Sequence, residues 1–134
     1  MLVLLDDAGK IASYADVPDI ALDLIEVADK PTTIIYPGAK RLAPNLIAED
    51  GTIGIRITRE EFTRSLIFRY NKPIVSTSAN ISGEPSPHFF GEISEEIKNA
   101  VDYIVDYRRN DHKPAAPSSI IKLGMGGEIQ IIRK

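Results

Sequence analysis

The chain has 134 residues, 43% of them hydrophobic and 26% charged, which fits one globular domain and excludes a disordered tail, a fibre or a disulfide scaffold. With no cysteine and only two histidines, His88 and His112, it has no disulfide, no thiolate nucleophile and no Cys-based zinc site. The net charge of -3 divides into -5 over residues 1–30 and +2 over residues 31–134, far below the basic footprint of a dedicated nucleic-acid binder.

Leu2–Leu5 reads as a buried strand at the very start, and a strand of that kind needs neighbours on both sides. The opening Met1-Leu-Val-Leu-Leu-Asp6-Asp7 lacks a basic n-region, and its apolar run is too short for a signal peptide. No run approaches the roughly 20 apolar residues of a membrane span, so the expected location is the cytoplasm.

Asp16 is the expected cap of a helix whose apolar stripe is Val17, Ala21, Leu24 and Ala28. Lys30-Pro31 stops that helix. Thr32–Tyr36 is a strand closed by Pro37-Gly38. Thr52–Thr58 alternates with period 2, placing Ile53, Ile55 and Ile57 on one face and Thr52, Gly54, Arg56 and Thr58 on the other. Thr58-Arg-Glu-Glu61 reads as a capping box opening a helix with Phe62, Leu66 and Tyr70 on its apolar stripe.

Lys72–Ser76 is a further strand, and residues 76–87 form a loop. Phe89 or Phe90, Ile93, Ile97 and Val101 make a second helical stripe. Tyr103–Val105 reads as a short strand, and residues 108–117 as a polar loop. Ser118–Leu123 and Glu128–Arg133 form a hairpin around Gly124-Met-Gly-Gly127. Short apolar runs alternating with helical periods give an α/β (α+β) layered fold, a twisted mixed sheet with flanking helices.

Four places could carry chemistry. Ser76-Thr-Ser-Ala-Asn-Ile-Ser-Gly83 places four hydroxyls and an amide after a strand. Small residues there let a ligand approach the backbone, and the same residues also make ordinary turns. It is not a P-loop, because Gly-x-x-x-x-Gly-Lys is absent. Arg56 sits mid-strand beside Gly54. It is either a solvated edge residue or, if that face lines a cleft, a fixed donor fork for a carboxylate or phosphate. Ser118 and Ser119 begin a strand, and Arg133 ends the last one. The histidines lack Ser or Asp partners at triad spacing, and no Asp/Glu/His set has metal-ligand spacing.

In series, Thr52-Ile-Gly-Ile-Arg56, Pro73-Ile-Val-Ser-Thr-Ser-Ala-Asn-Ile-Ser-Gly-Glu-Pro85, Val101-Asp-Tyr-Ile-Val-Asp106, Pro117-Ser-Ser-Ile-Ile121 and Gly127-Glu-Ile-Gln-Ile-Ile-Arg133 resemble the YrdC-type threonylcarbamoyl-adenylate synthases. The Ser-Thr-Ser-Ala-Asn-x-Ser-Gly block is the specific one. The resemblance implies a twisted sheet around a concave, positively charged cavity. It implies condensation of L-threonine, bicarbonate and ATP into threonylcarbamoyl-AMP and pyrophosphate, for modification of tRNA. Magnesium is expected on the ATP phosphates.

By the same resemblance Arg56, Ser76 and Ser118 would contact threonine, with Arg56 taking its carboxylate by a bidentate pair. Thr52, Ser78, Asn80, Ser86 and Arg133 would serve the nucleotide. No protein nucleophile is expected, because the carbamate oxygen attacks the α-phosphate and the protein positions reactants and neutralises charge.

The chain departs from the family pattern at its start. The family's Tyr-Pro-Thr-Asp-Thr and Lys-x-Arg segments are absent, and no Lys-x-Arg occurs anywhere in the sequence. Residues 1–134 are therefore expected to be a single YrdC-like domain truncated at its N-terminus, with little or no synthase activity. The alternative is a non-catalytic module of the same fold that binds double-stranded RNA or tRNA. A hydrogenase-maturation carbamoyltransferase domain is disfavoured by the lack of cysteine.

Overall fold

The computed structural model describes residues 1–134. In chain order it contains β1 (Leu2–Leu5), α1 (Ile20–Val27), β2 (Thr32–Tyr36), β3 (Ile53–Ile57), α2 (Glu61–Tyr70), β4 (Ile74–Ser76), α3 (Glu95–Ala100), β5 (Ser119–Leu123) and β6 (Ile129–Arg133). Short 3₁₀ turns lie at Ala8–Ser13, Pro44–Leu46 and Phe90–Glu92. The chain forms two compact units: residues 1–76 with 118–134, and residues 77–117.

The first unit is a mixed six-stranded sheet in the order β4-β1-β3-β2-β5-β6. β1 runs parallel to β3 and antiparallel to β4, so the first strand is interior, as its uninterrupted apolar run requires. β2 is antiparallel to β3 and parallel to β5, and β6 closes the hairpin onto β5 with an irregularity at Ile120/Ile121. Registers Val3↔Ile55 and Ile34↔Ile55 place those side chains on one face. That face is the core, where Val3, Leu5, Ile34, Tyr36, Ile53 and Ile55 are almost fully buried with Ile11, Ala21 and Leu123. Burying Tyr36 in that apolar layer raises the pKa of its hydroxyl.

The neighbouring registers Leu2↔Ser76, Leu4↔Arg56 and Thr33↔Arg56 put Leu2, Leu4, Thr33, Arg56 and Ser76 on the opposite face, with Gly54. One sheet thus has an apolar face and a face bearing the polar candidates.

Two helix starts differ from the sequence reading. Asp16 does not cap α1. Its backbone N–H donates to the Pro37 carbonyl, and α1 starts at Ile20 behind Asp19 without a side-chain cap. Gly38, at φ +67°, leaves the space that the Asp16 carboxylate occupies, so Asp16 belongs to the turn after β2. Thr58 does not cap α2 either. Glu60 does, accepting from the N–H groups of Phe62 and Thr63, while Thr58 Oγ1 accepts from Glu60 N. The stripe Phe62, Leu66 and Tyr70 is 37–56% exposed, and the buried residue of α2 is Ile67.

The second unit contains no strand, so Tyr103–Val105 is irregular chain and not the expected strand. Arg109 donates to the carbonyls of Ile104 and Val105, which takes the acceptors a strand partner would have used. The stripe from Phe90 to Val101 is broken at Ser94, whose hydroxyl caps α3 by accepting from Ile97 N.

Candidate functional site

Arg56 lies on β3, flanked in register by Leu4 of β1 and Thr33 of β2. It is half-buried, and its guanidinium makes no hydrogen bond and no ion pair with any other residue. Burial lowers its pKa, because a cation that has lost solvent without gaining an anion is disfavoured. It lines a pocket of about 330 Å³ together with Lys30, Thr32, Thr58, Arg59 and Glu60. Of those cations Arg59 is committed, donating to the carbonyls of Ile25 and Ala28 at the C-terminal end of α1. Glu60 is committed to the N-terminus of α2. Arg56 thus brings an uncompensated charge to a cleft, the arrangement that suits a ligand carboxylate or phosphate.

A Cβ at Gly54 would meet Thr33 Cγ2 at 3.4 Å and Leu2 Cβ at 3.7 Å, ordinary contacts, so the glycine leaves room for about one methyl group on that face.

Ser118 stands immediately before β5, which is docked on β2 by the hydrogen bond from Ser119 N to the Pro31 carbonyl, 3.0 Å. Ser118 is 4% exposed and its Oγ lies 2.7 Å from Thr33 Oγ1. Arg133, paired in register with Ile120, donates from Nε to the Ser118 carbonyl at 2.8 Å. Arg133 on β6, Ser118 at the entry to β5 and Thr33 on β2 are therefore linked by hydrogen bonds, and Thr33 is in register with Arg56 on β3. Thr33 is a member of this set that the sequence reading missed. Its position in an unremarkable Thr-Thr pair carries no signal until the register places it opposite Arg56.

Ser119 points elsewhere: its Oγ is the one buried side-chain polar atom without a hydrogen-bond partner. Ser76 shares the polar face but lies on the edge strand, opposite Leu2 and farther along the sheet. Thr52, just before β3, is turned to Asp50, donating from Oγ1 to Oδ1 at 2.6 Å.

Ser78, Asn80 and Ser86 belong to the second unit. Asn80 organises its first loop, donating from Nδ2 to the carbonyls of Ile81 and Glu84 at 3.1 and 2.9 Å, while its Oδ1 accepts from Ser86 Oγ at 3.5 Å. Gly83 turns that loop at φ +87°, a conformation glycine adopts without strain. Ser78 is exposed. No three His, Asp or Glu side chains converge to hold a metal, and no helix is long and apolar enough to cross a membrane.

Comparisons with known proteins agree with this architecture. The chain is 40% identical over 118 residues to a putative threonylcarbamoyl-AMP synthase of Methanocaldococcus jannaschii, covering 87% of this chain and 54% of that protein. It is 26% identical over 133 residues to the threonylcarbamoyl-AMP synthase of Pseudoalteromonas translucida, covering 96% of this chain and 70% of that one. The chain thus spans about half the length of the first relative. The crystal structure of E. coli YciO has the same fold, with a TM-score of 0.80 at 21% identity over 99% of this chain and 64% of that one. The Sua5/YciO/YrdC profile, described as "Telomere recombination", matches residues 1–134. The chain belongs to the Sua5/YciO/YrdC family.

Proposed function

We propose that the polar face of the sheet binds L-threonine by its carboxylate and serves the synthesis of threonylcarbamoyl-AMP for tRNA modification. The observation that carries this reading is Arg56, a half-buried guanidinium without an anionic partner in a pocket of about 330 Å³. Two relatives named as threonylcarbamoyl-AMP synthases support the choice of substrate. A bidentate pair with the threonine carboxylate would restore the charge balance that burial has taken from Arg56.

In this reading bicarbonate adds to the threonine amine with loss of water, giving a carbamate. A carbamate oxygen then attacks the α-phosphate of ATP, and pyrophosphate leaves. The protein supplies no nucleophile. Its contribution is to hold the carboxylate at Arg56 and Ser118 and to place charge, including Arg133, near the phosphates. Thr52, Ser76, Ser78, Asn80 and Ser86 enter through the family resemblance. Magnesium enters through the same resemblance, as the counter-ion of the triphosphate.

Calorimetric titration with L-threonine tests the reading. Binding is expected for the wild-type chain, with loss in Arg56→Ala and no binding of threoninol, which lacks the carboxylate. Equal binding of threonine and threoninol would overturn it. Pyrophosphate release from ATP that requires both threonine and bicarbonate tests the full reaction.

A further inference from the structure

We infer that Thr33 is a positioning residue: it donates its hydroxyl proton to Ser118 Oγ and thereby leaves the Ser118 proton free to be given to an anionic ligand. The inference rests on the proposed threonine site and assigns a residue to it. The two hydroxyl oxygens are 2.7 Å apart, and their residues are 2% and 4% exposed. Each hydroxyl has one proton, so the contact uses one and leaves one. Which proton is left depends on the direction of the bond.

The surroundings decide the direction. The pair is flanked by two guanidinium-bearing residues, Arg56 in register with Thr33 and Arg133 bound to the Ser118 carbonyl. Arg133 uses Nε for that bond and leaves its two terminal nitrogens without a protein partner. In the proposed site the ligand presents its carboxylate to these cations, and a carboxylate accepts. Ser118 must then donate outward, and it keeps a defined orientation only by accepting from Thr33. A chain of this kind polarises in one sense, each bond strengthening the next. The sheet makes the arrangement rigid, because Thr33 is mid-strand on β2 and the Ser119 N–H holds the start of β5 against it at 3.0 Å. A β-branched threonine is the residue with fewest χ1 choices that still has a hydroxyl.

Titration of threonine, and separately of ATP, into the wild type, Thr33→Val, Thr33→Ser, Ser118→Ala, the Thr33→Val/Ser118→Ala double variant and Arg56→Ala tests it. Thr33→Val is expected to weaken threonine about ten-fold, the effect of one lost hydrogen bond of about 1.4 kcal/mol, and to leave ATP within about two-fold. Thr33→Ser is expected to restore threonine binding to within about two-fold of wild type. On the Ser118→Ala background Thr33→Val should add nothing, because the residue acts through Ser118. If Thr33→Val fails to fold, Thr33→Ala is titrated in its place with the same expectation.

A valine variant that only lowers the melting temperature and leaves threonine affinity unchanged overturns the inference, as does an effect that adds fully to Ser118→Ala. If Arg56→Ala abolishes threonine binding while Thr33→Val does not alter it, only this inference falls. A wild-type chain that binds no threonine overturns both.

Discussion

Asp50 is a surface residue, yet its carboxyl is held down at about 2, against 3.8 for an ordinary aspartate, first by the hydrogen bond from Lys122 and then by those from the hydroxyl and N–H of Thr52. The Lys122 Nζ lies 2.7 Å from Asp50 Oδ2, joining the loop before β3 to β5 across 72 positions of sequence. A depressed carboxyl pKa stabilises the folded state above the unfolded value. That stability is fully present above about pH 4, fades as pH falls towards 2, and is gone below it. Asp50→Asn is therefore expected to lower the melting temperature at pH 6 and to match wild type at pH 2. High salt should shrink the difference, since both partners are reached by solvent. A constant difference at all pH values would show that the pair does not carry it.

Arg56 presents the opposite case. Its burial is uncompensated, so Arg56→Leu should leave the melting temperature unchanged or raise it while removing threonine binding. A residue placed for packing would lose both together.

Among the elements, α2 shows what sequence periodicity can and cannot fix. The helix was legible from its spacing, but its cap and its buried face were not. Phe62, Leu66 and Tyr70 have helical spacing and are large and apolar, whereas the sheet buries Ile67, at 1% exposure. The choice between those stripes is made by packing against the sheet, which helical spacing does not encode. Glu60 and not Thr58 takes the cap, and Asn71 ends the helix in a left-handed turn at φ 58°. Ile67→Ala should cost about 2–5 kcal/mol in denaturant unfolding, while Leu66→Ala, 44% exposed, should cost less than about 1 kcal/mol. Similar costs at both positions would mean that the helix buries a broader face.

The strands were more legible, because period 2 fixes the face once one residue is placed. Thr32–Tyr36 coincides with β2, and the expected alternation of Ile53, Ile55 and Ile57 against Arg56 is the alternation of β3. The hairpin of β5 and β6 followed from its glycine turn. What sequence could not supply was the order of the strands. Arg56 and Ser118 were singled out separately, but Thr33 joins them only through parallel pairing of β2 with β5, a contact between residues 85 positions apart.

At the scale of the whole molecule, burial is unequally divided. Every buried residue lies in the sheet unit, and residues 77–117 contain none. The second unit is held by local polar contacts: the Asn80 loop bonds, the Ser94 cap, the Ala115 N–H to the His88 carbonyl at 2.8 Å, and Phe90 with Lys98 at 4.5 Å and Arg109 at 5.4 Å over its ring. Such contacts are each worth about 1 kcal/mol or less at accessible sites. Without a core they open one at a time, whereas the sheet ladder must open with its apolar layer. Native-state hydrogen exchange should therefore show amides of α3 exchanging through local openings that are insensitive to low denaturant. Amides of β1, β2 and β3 should exchange only with global unfolding and follow its denaturant slope. Ile55→Ala separates the two regimes further. It should speed exchange in the three interior strands by the full loss of global stability, about 2–5 kcal/mol for a buried isoleucine, and leave the α3 amides near their wild-type rates. Equal acceleration in both units would mean that they open as one cooperative body, and the local account of residues 77–117 would be wrong.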